Sequence, residues 1–407
     1  NCINMTYKTT RKCCYAGYIA QAVSINLAPL LFIIFRKSFG ISYALLGLLT
    51  LINFLTQLIV DVLSAAFLDK ISYRTSAVTS QLFCAVGLIL LPALAQLEHH
   101  YLGLCLATVI YSIGAGLIEV VINPIMTAVP DDEGGGSLIL LHSFYCWGQL
   151  AVVFITTAVI ALFGEASWYI IAPCWGLLPL ANAFFFVKTP IVEPGSDKPQ
   201  PEEKSEKEEP KKELFCRRFA LILVLMVCAG ASEQPMAQWS SIFAQEALGV
   251  SKFIGDLLGP SLFALFMGIG RTIHGIYGER LNFKLHVYIN SLLCVLCYMA
   301  ASLLKNPYAA LMGCALCGYA ISVMWPGIVS LAAEKFPNGG GAMYGAIAMA
   351  GDIGCSAAPY ITGVVASMKV WGDNGLKAGM FVSIVYPIVY AAAFTAFAAC
   401  GRNGKRS

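Results

Sequence analysis

Charged side chains are scarce in this sequence of 407 residues. Only 12% of the residues are Asp, Glu, Lys or Arg, whereas 58% are hydrophobic and the mean hydropathy is +0.73. A water-soluble chain of this length needs many more charged residues to cover its surface, so a soluble enzyme or binding domain is excluded. The net charge of +3 is small and scattered, which argues against a nucleic-acid partner.

Polar cysteine-rich segments are also missing. The 15 cysteines lie mostly within apolar runs, unlike those of a short secreted disulfide scaffold. Two pairs, Cys294/Cys297 and Cys314/Cys317, have zinc-ribbon spacing, but their apolar neighbours favour small buried thiols over a metal site. No metal or other cofactor is expected. No cleavable signal peptide is expected either, because the first apolar run continues to spanning length.

Long apolar runs are what the sequence has in abundance. A helix needs about 20 such residues to cross a bilayer, and twelve runs of this kind predict an all-α integral membrane protein with twelve transmembrane helices. The predicted helices lie near 14–35, 43–68, 75–96, 101–128, 137–163, 167–187, 218–247, 256–278, 284–304, 306–334, 341–367 and 376–400.

A polar stretch divides the twelve predicted helices into two sets of six. Residues 190–213 are rich in Pro, Glu and Lys, so we predict a disordered linker between a bundle at 1–189 and a bundle at 214–407. Lys and Arg are concentrated on the side of the termini and this linker. That bias predicts a multi-pass plasma-membrane protein with both termini and the linker in the cytoplasm.

The two halves contain matching motifs. Residues 69–74 (DKISYR) and 279–284 (ERLNFK) both read acid, base, aliphatic, small polar, aromatic, base. A second match joins 121–124 (VINP) and 323–326 (VMWP), each followed by three glycines. Two matches in register indicate a duplication. Parallel six-helix repeats are typical of transporters whose site lies between the halves near the bilayer midplane.

This pattern resembles the major facilitator superfamily, whose loop after helix 2 carries a G-x-x-x-D-R/K-x-G-R/K motif. The chain keeps the acid and the bases in Asp69, Lys70 and Arg74, and has Ala65 and Tyr73 in place of two glycines. The resemblance implies that the loop residues hold the cytoplasmic ends of the halves together. The full set assigned to this gating group is Asp69, Lys70, Arg74, Arg271, Glu279, Arg280 and Lys284.

Within that superfamily the sequence is most similar to the L-fucose/proton symporters, the fucose permease family. That family places a Glu four residues before an Asn-Pro in helix 4, as Glu119 and Asn123 do here, and the segment 138–148 also follows its helix 5 pattern. The resemblance implies a sugar/proton symporter with Glu119 as the proton carrier. The chain departs from the family where Pro29 replaces a helix 1 carboxylate and His142 replaces a Gln.

Ionisable residues inside predicted spans are functional candidates, because a charge at the bilayer centre costs roughly 2.5–3.5 kcal/mol. For proton coupling the candidates are Glu119, Asp61, His142 and Asp352. Glu119 could instead be a structural acid bonded to a neighbouring helix. Asp61 and Arg271 occupy matching positions of the repeat and could pair, or each could find another partner such as Asp352.

Polar and aromatic residues of the spans are the candidates for substrate binding. Amide and carboxyl groups suit sugar hydroxyls, and an indole suits the C–H face of a sugar. The predicted set is Gln21, Asn26, Asn123, His142, Tyr145, Glu233, Gln234, Gln238, Trp239 and Trp325. Trp239 and Trp325 could alternatively be packing or interfacial residues.

These observations predict a secondary active transporter that moves a small solute, a monosaccharide, by alternating access with proton symport. Sodium is the alternative coupling ion. An exporter or facilitator of another small molecule, a drug or metabolite, on the same fold is the alternative function. An enzyme is not expected, since no paired catalytic residues stand at a helix boundary. The chain is expected to act as a monomer in the lipid bilayer.

Overall fold

The chain folds into helices of membrane-spanning length. The computed structural model describes residues 6–67, 71–129, 138–191, 217–277, 282–336, 340–368 and 370–403. Within these ranges the protein forms twelve helical units and no strand. Because the number of units is even, the start of the first unit and the end of the last unit lie on the same face of the bundle.

The first six units form the first half. They are α1 (Tyr7–Leu30, continued by Phe32–Phe39), α2 (Tyr43–Phe67), α3 (Tyr73–Leu94), α4 (His100–Thr127), α5 (Leu138–Phe163) and α6 (Trp168–Lys188).

The other six units form the second half. They are α7 (Arg217–Glu246), α8 (Lys252–Asp256, a π-helical turn Leu257–Ser261, then Leu262–Tyr277), α9 (Phe283–Leu303), α10 (Pro307–Ile321, then Met324–Lys335), α11 (Gly340–Ser367) and α12 (Gly375–Val382, then Val385–Asn403).

Apolar runs of this length form helices in a bilayer, because a helix pairs its own backbone N–H and C=O groups and lipid offers them no other partner. Among the described residues, ten helices are long and apolar enough to span, and α1 adds an eleventh when its two bent segments count as one. The unit α11 has 28 residues and the necessary length, but small residues and Asp352 make its middle less apolar. The predicted all-α fold is confirmed, and each predicted helix corresponds to one unit.

The small polar residue of the repeated loop motif caps the helix that follows it. Ser72 accepts a hydrogen bond from the backbone N–H of Thr75 at 3.1 Å and caps α3. Asn282 does the same for α9, accepting from the N–H of Leu285 at 3.2 Å. A side-chain oxygen at this position satisfies an N–H that the first helical turn leaves free. The duplication therefore preserves a helix N-cap in both halves.

Other residues of that motif fall outside the described part of the chain. This applies to Asp69, Lys70, Glu279 and Arg280, and most of the predicted linker does so too. Arg74 is described: its Nη1 donates to the backbone carbonyls of Phe186, Val187 and Thr189 at 2.7–3.0 Å. It thus stabilises the C-terminal end of α6 within its own half. Lys284 is exposed near the start of α9.

The halves meet through α2 against α11, α5 against α8 and α1 against α7. At the end opposite the termini, Arg36 Nε donates to both carboxylate oxygens of Glu246 at 3.1–3.2 Å, and the Tyr43 hydroxyl also bonds to Glu246. The Arg36 guanidinium lies 4.1 Å from the centroid of the Tyr43 ring. We call this region, where 30–43 faces 246–256, the closed end of the interface.

A second, buried layer of the closed end is centred on Asp256, whose side chain is 0% exposed. Its Oδ2 accepts from Lys252 Nζ at 2.8 Å and from Thr157 Oγ1, in the other half, at 2.7 Å. Lys252 Nζ also donates to the carbonyl of Leu30 at 2.7 Å. That carbonyl lies at the 43° bend of α1, just after Pro29, where the regular helical pattern is interrupted. The buried layer therefore joins α1, α5 and α8.

Candidate functional site

Most of the predicted site residues lie between the two halves, deeper than the closed end. Helices α1, α4 and α5 contribute from the first half, and α7, α8, α10 and α11 from the second. Glu119 is held by an amide: Gln21 Nε2 donates to its Oε2 at 2.5 Å. Gln21 Oε1 is buried and has no hydrogen-bond partner among the described residues. Such an acceptor is available to a bound solute or a water molecule.

Asn123 lies one turn after Glu119 on the same face of α4. Its Nδ2 donates to the carbonyl of Glu119 at 3.3 Å, and its Oδ1 accepts from the Tyr18 hydroxyl at 3.4 Å. His142 is exposed, with its ring 5.1 Å from that of Tyr18. Tyr18 was not among the predicted residues. Its position one turn before Gln21 on α1 is the signal that could have identified it.

Arg271 faces the site from α8. Its Nη2 lies 3.5 Å from Oε2 of Glu233 on α7, and its Nη1 donates across the interface to Sγ of Cys146 at 3.6 Å. Its buried Nε has no hydrogen-bond partner within the described ranges. Arg271, which was grouped with the loop motif, thus lies in the site. Cys146 was not predicted, although it follows the candidate Tyr145 directly.

Amide side chains extend from Glu233 along α7. Gln238 Nε2 donates to Gln234 Oε1 at 3.2 Å, and Gln234 Nε2 donates to Glu233 Oε1 at 3.5 Å. On the first-half side, Asn26 Nδ2 donates to the Tyr145 hydroxyl at 3.3 Å. The site is therefore lined from both halves by groups that can exchange hydrogen bonds with hydroxyls.

The two candidate tryptophans have different surroundings. Trp325 is partly exposed and packs with Tyr145 against a small apolar cluster to which both halves contribute. Trp239 is 0% exposed, its Nε1 donates to the carbonyl of Pro359 at 3.0 Å, and its ring contacts Phe32 at the closed end. In this conformation Trp325 borders the site, whereas Trp239 is a packing residue.

Three polar residues, Asn53, Gln57 and Asp61, recur at every fourth position of α2 and share one helix face, but their contacts differ. Gln57 Nε2 donates to Asn53 Oδ1 at 2.6 Å, and Ser112 of α4 donates to the same oxygen at 3.0 Å. These two amides therefore hold α2 against its own half. Asp61, one turn further on, instead has its carboxyl beside that of Asp352 of α11, close enough for the two groups to share a hydrogen bond. Thus Asp61 and Arg271, at matching positions of the repeat, bind different partners.

Cysteines of α9 and α10 face each other, with the sulfurs of Cys294 and Cys317 3.8 Å apart. Both side chains are fully buried in the main apolar core. In the described part of the chain, no group of three or more His, Cys, Asp or Glu side chains is arranged to hold a metal ion.

No protein of curated function matches the sequence significantly. Crystal structures of a nucleoside transporter, NupG, and of a D-xylose-proton symporter share the fold, with TM-scores of 0.70 and 0.76. Each is 14% identical to this chain; the NupG match covers 96% of this chain and 98% of the other, and the symporter match 95% and 96%.

A variant of the E. coli fucose:proton symporter FucP also matches, with a TM-score of 0.62, 16% identity, and coverage of 94% of this chain and 97% of the other. At these identities the likeness concerns the fold. The sequence itself matches the model of the Major Facilitator Superfamily over residues 14–359, most of its length. The predicted resemblance is confirmed: the chain belongs to the major facilitator superfamily and is a membrane transporter.

Proposed function

We propose that this transporter carries a monosaccharide together with a proton, by alternating access of the site between the halves. The observation that supports this proposal best is the contact between Glu119 and Gln21. It brings a titratable carboxyl next to an amide oxygen that has no partner among the described residues, within a site that both halves line with polar groups. Sites of this kind at the midplane of two six-helix repeats are where such transporters bind solute and coupling ion.

Glu119 would couple the proton to the solute through the cost of burying charge. When both ends of the interface are closed, a bare carboxylate in the membrane interior is unfavourable. A proton on Glu119 removes that charge, while Gln21 Nε2 can still donate to a carboxyl oxygen. The loaded transporter would therefore change its orientation with the proton on Glu119.

The solute would bind beside the acid. Gln21, Asn26 and Gln234 offer amide donors and acceptors to hydroxyl groups, and Trp325 offers a ring face. The related folds include transporters of D-xylose, fucose and nucleosides, which supports a small polyhydroxylated solute. With the termini in the cytoplasm of a plasma-membrane protein, the closed end would face outwards and the conformation described here would face inwards.

The proposal is tested by uptake into proteoliposomes. Labelled monosaccharides, with nucleosides as a second panel, are offered under an imposed inward proton gradient. Accumulation of a monosaccharide that disappears when the gradient is collapsed is the expected result. Accumulation of nucleosides alone would refute the substrate class, and accumulation unchanged by the proton gradient would refute proton symport.

Glu119→Gln separates coupling from binding. The amide keeps the shape of the side chain but cannot exchange a proton, so concentrative uptake should be lost while exchange of labelled for unlabelled solute is retained. The matched control is Glu165→Gln, which makes the same change on an exposed acid that pairs with Lys37 at the rim of the first half. Concentrative uptake by Glu119→Gln at the level of this control would contradict the role of Glu119.

A further inference from the structure

The acid pair Asp61–Asp352 lies on the boundary between the halves. Asp61 projects from α2 and Asp352 from α11, two helices that pack along each other across the interface. Asp352 is 8% exposed, and Asp61 Oδ1 has no hydrogen-bond partner in the described residues. Asp61 is eighteen residues beyond the start of α2 at the closed end, or about 27 Å along the helix. The pair therefore joins the halves well beyond the closed end.

A hydrogen bond between two carboxyl groups requires a proton on one of them. Without that proton, two carboxylates in contact repel each other, which is why paired acids in other proteins share a single proton. Within the described ranges, no positive charge is recorded as acting on either acid. The group that acts on both acids from a neighbouring helix is another acid, Glu119 of α4, and Arg271 is engaged with Glu233.

Glu119 acts on this pair only through its charge and makes no side-chain hydrogen bond across the boundary in the described residues. Its side-chain partner, Gln21, belongs to the same half, so gaining or losing a proton there changes a contact within that half. The contact between Asp61 and Asp352 joins opposite halves. A proton on this pair stabilises the association of the two halves. Loss of that proton replaces the hydrogen bond between the two acids with a repulsion between two carboxylates.

We propose that Asp61 and Asp352 form a proton-dependent clasp between the halves, so that proton occupancy of this pair sets how far the halves separate on the side of the termini. This inference rests on the proton coupling proposed above and assigns to the acid pair the step that converts proton binding into movement. Glu119 then carries the proton next to the solute, and the acid pair transmits protonation across the interface.

The clasp is tested without solute, by measuring a distance across the interface as a function of pH. Spin-labelled non-natural amino acids at the exposed positions Ile71 and Glu334 leave the native cysteines intact and report on the end that bears the termini. In the parent protein the distance should be longer at high pH, where the pair loses its proton, than at low pH. Double electron–electron resonance measures this distance directly.

Asp61→Asn and Asp352→Asn are the informative variants. In each, the amide donates to the remaining carboxylate without needing a proton, so the distance should stay short at every pH. Two variants are used so that a folding defect in one does not decide the result. Glu119→Gln and the rim control Glu165→Gln should keep the pH-dependent change.

Three results would overturn the clasp: a parent distance that does not change with pH, Asn variants that respond to pH as the parent does, or loss of the response in Glu119→Gln. Because no solute is present, these results are independent of whether the transported molecule is a sugar. A clasp that behaves as expected in a protein that carries no monosaccharide would refute the substrate proposal and leave the clasp intact.

Discussion

Thr157→Val tests the buried layer of the closed end. The substitution keeps the shape of the side chain and removes the hydroxyl that donates to Asp256 across the interface at 2.7 Å. A hydrogen bond to a charged group contributes about 1.5–3 kcal/mol net. Because Asp256 is fully buried, solvent does not weaken the bond in the closed state. The ratio of open to closed conformations should therefore rise about tenfold to a hundredfold.

The shift is measured as a distance distribution across the closed end. Spin labels at Ser38 and Val370, exposed positions on opposite halves, should report a larger fraction of long distances in Thr157→Val. The neighbouring Thr156→Val is a matched control, since the Thr156 hydroxyl accepts from Trp175 within the same half at 2.9 Å. Equal distributions in the two variants would refute the reasoning, because the loss would then not depend on a contact between halves.

Three further outcomes follow from the two tryptophans. Trp325→Phe should weaken solute binding about two- to tenfold, from about 0.5–1.5 kcal/mol of lost aromatic contact, as measured by calorimetric titration. Gly351→Ala should weaken binding as well, because its new Cβ would lie 2.1 Å from the Trp325 ring and displace it; unchanged affinity would contradict this. Trp239→Phe should lower the unfolding temperature by removing the indole N–H that donates to the Pro359 carbonyl, a bond worth about 0.5–1.5 kcal/mol, with solute affinity unchanged; weaker binding would place Trp239 in the site after all.

The helices could be predicted because a bilayer leaves an apolar run of spanning length few alternatives. The details within them were less predictable. The first predicted helix ends at 35, whereas α1 bends after Leu30 and continues to Phe39. The eighth was predicted to begin at 256, which left Lys252 in a loop. Its spacing of four residues from Asp256 could have indicated an ion pair on one helix face.

The partners of the buried charged groups could not be predicted, because they depend on how each helix is rotated. Asp61 and Arg271 occupy equivalent positions of the repeat, which left open whether they contact each other or another group such as Asp352. In the structure Arg271 reaches Glu233 within its own half, and Asp61 reaches Asp352 in the other. Sequence spacing fixes which residues share a helix face, but the packing of neighbouring helices decides what that face contacts.

Aromatic residues illustrate the same limit. Trp239 and Trp325 both lie close to a proline inside a predicted span, and Trp239 follows a series of polar residues that favoured a substrate contact. The structure packs Trp239 against Phe32 at the closed end and leaves Trp325 beside Tyr145 at the site. Only the three-dimensional packing distinguishes these two positions.

The most direct test of proton symport is the movement of protons when solute is added. Proteoliposomes containing the protein are placed in a weakly buffered medium with no initial pH gradient, and external pH is recorded after addition of the transported monosaccharide. The account predicts external alkalinisation with the parent protein and none with Glu119→Gln, which still exchanges solute. Solute entry without any pH change in the parent, or alkalinisation by Glu119→Gln equal to that of the parent, would contradict it.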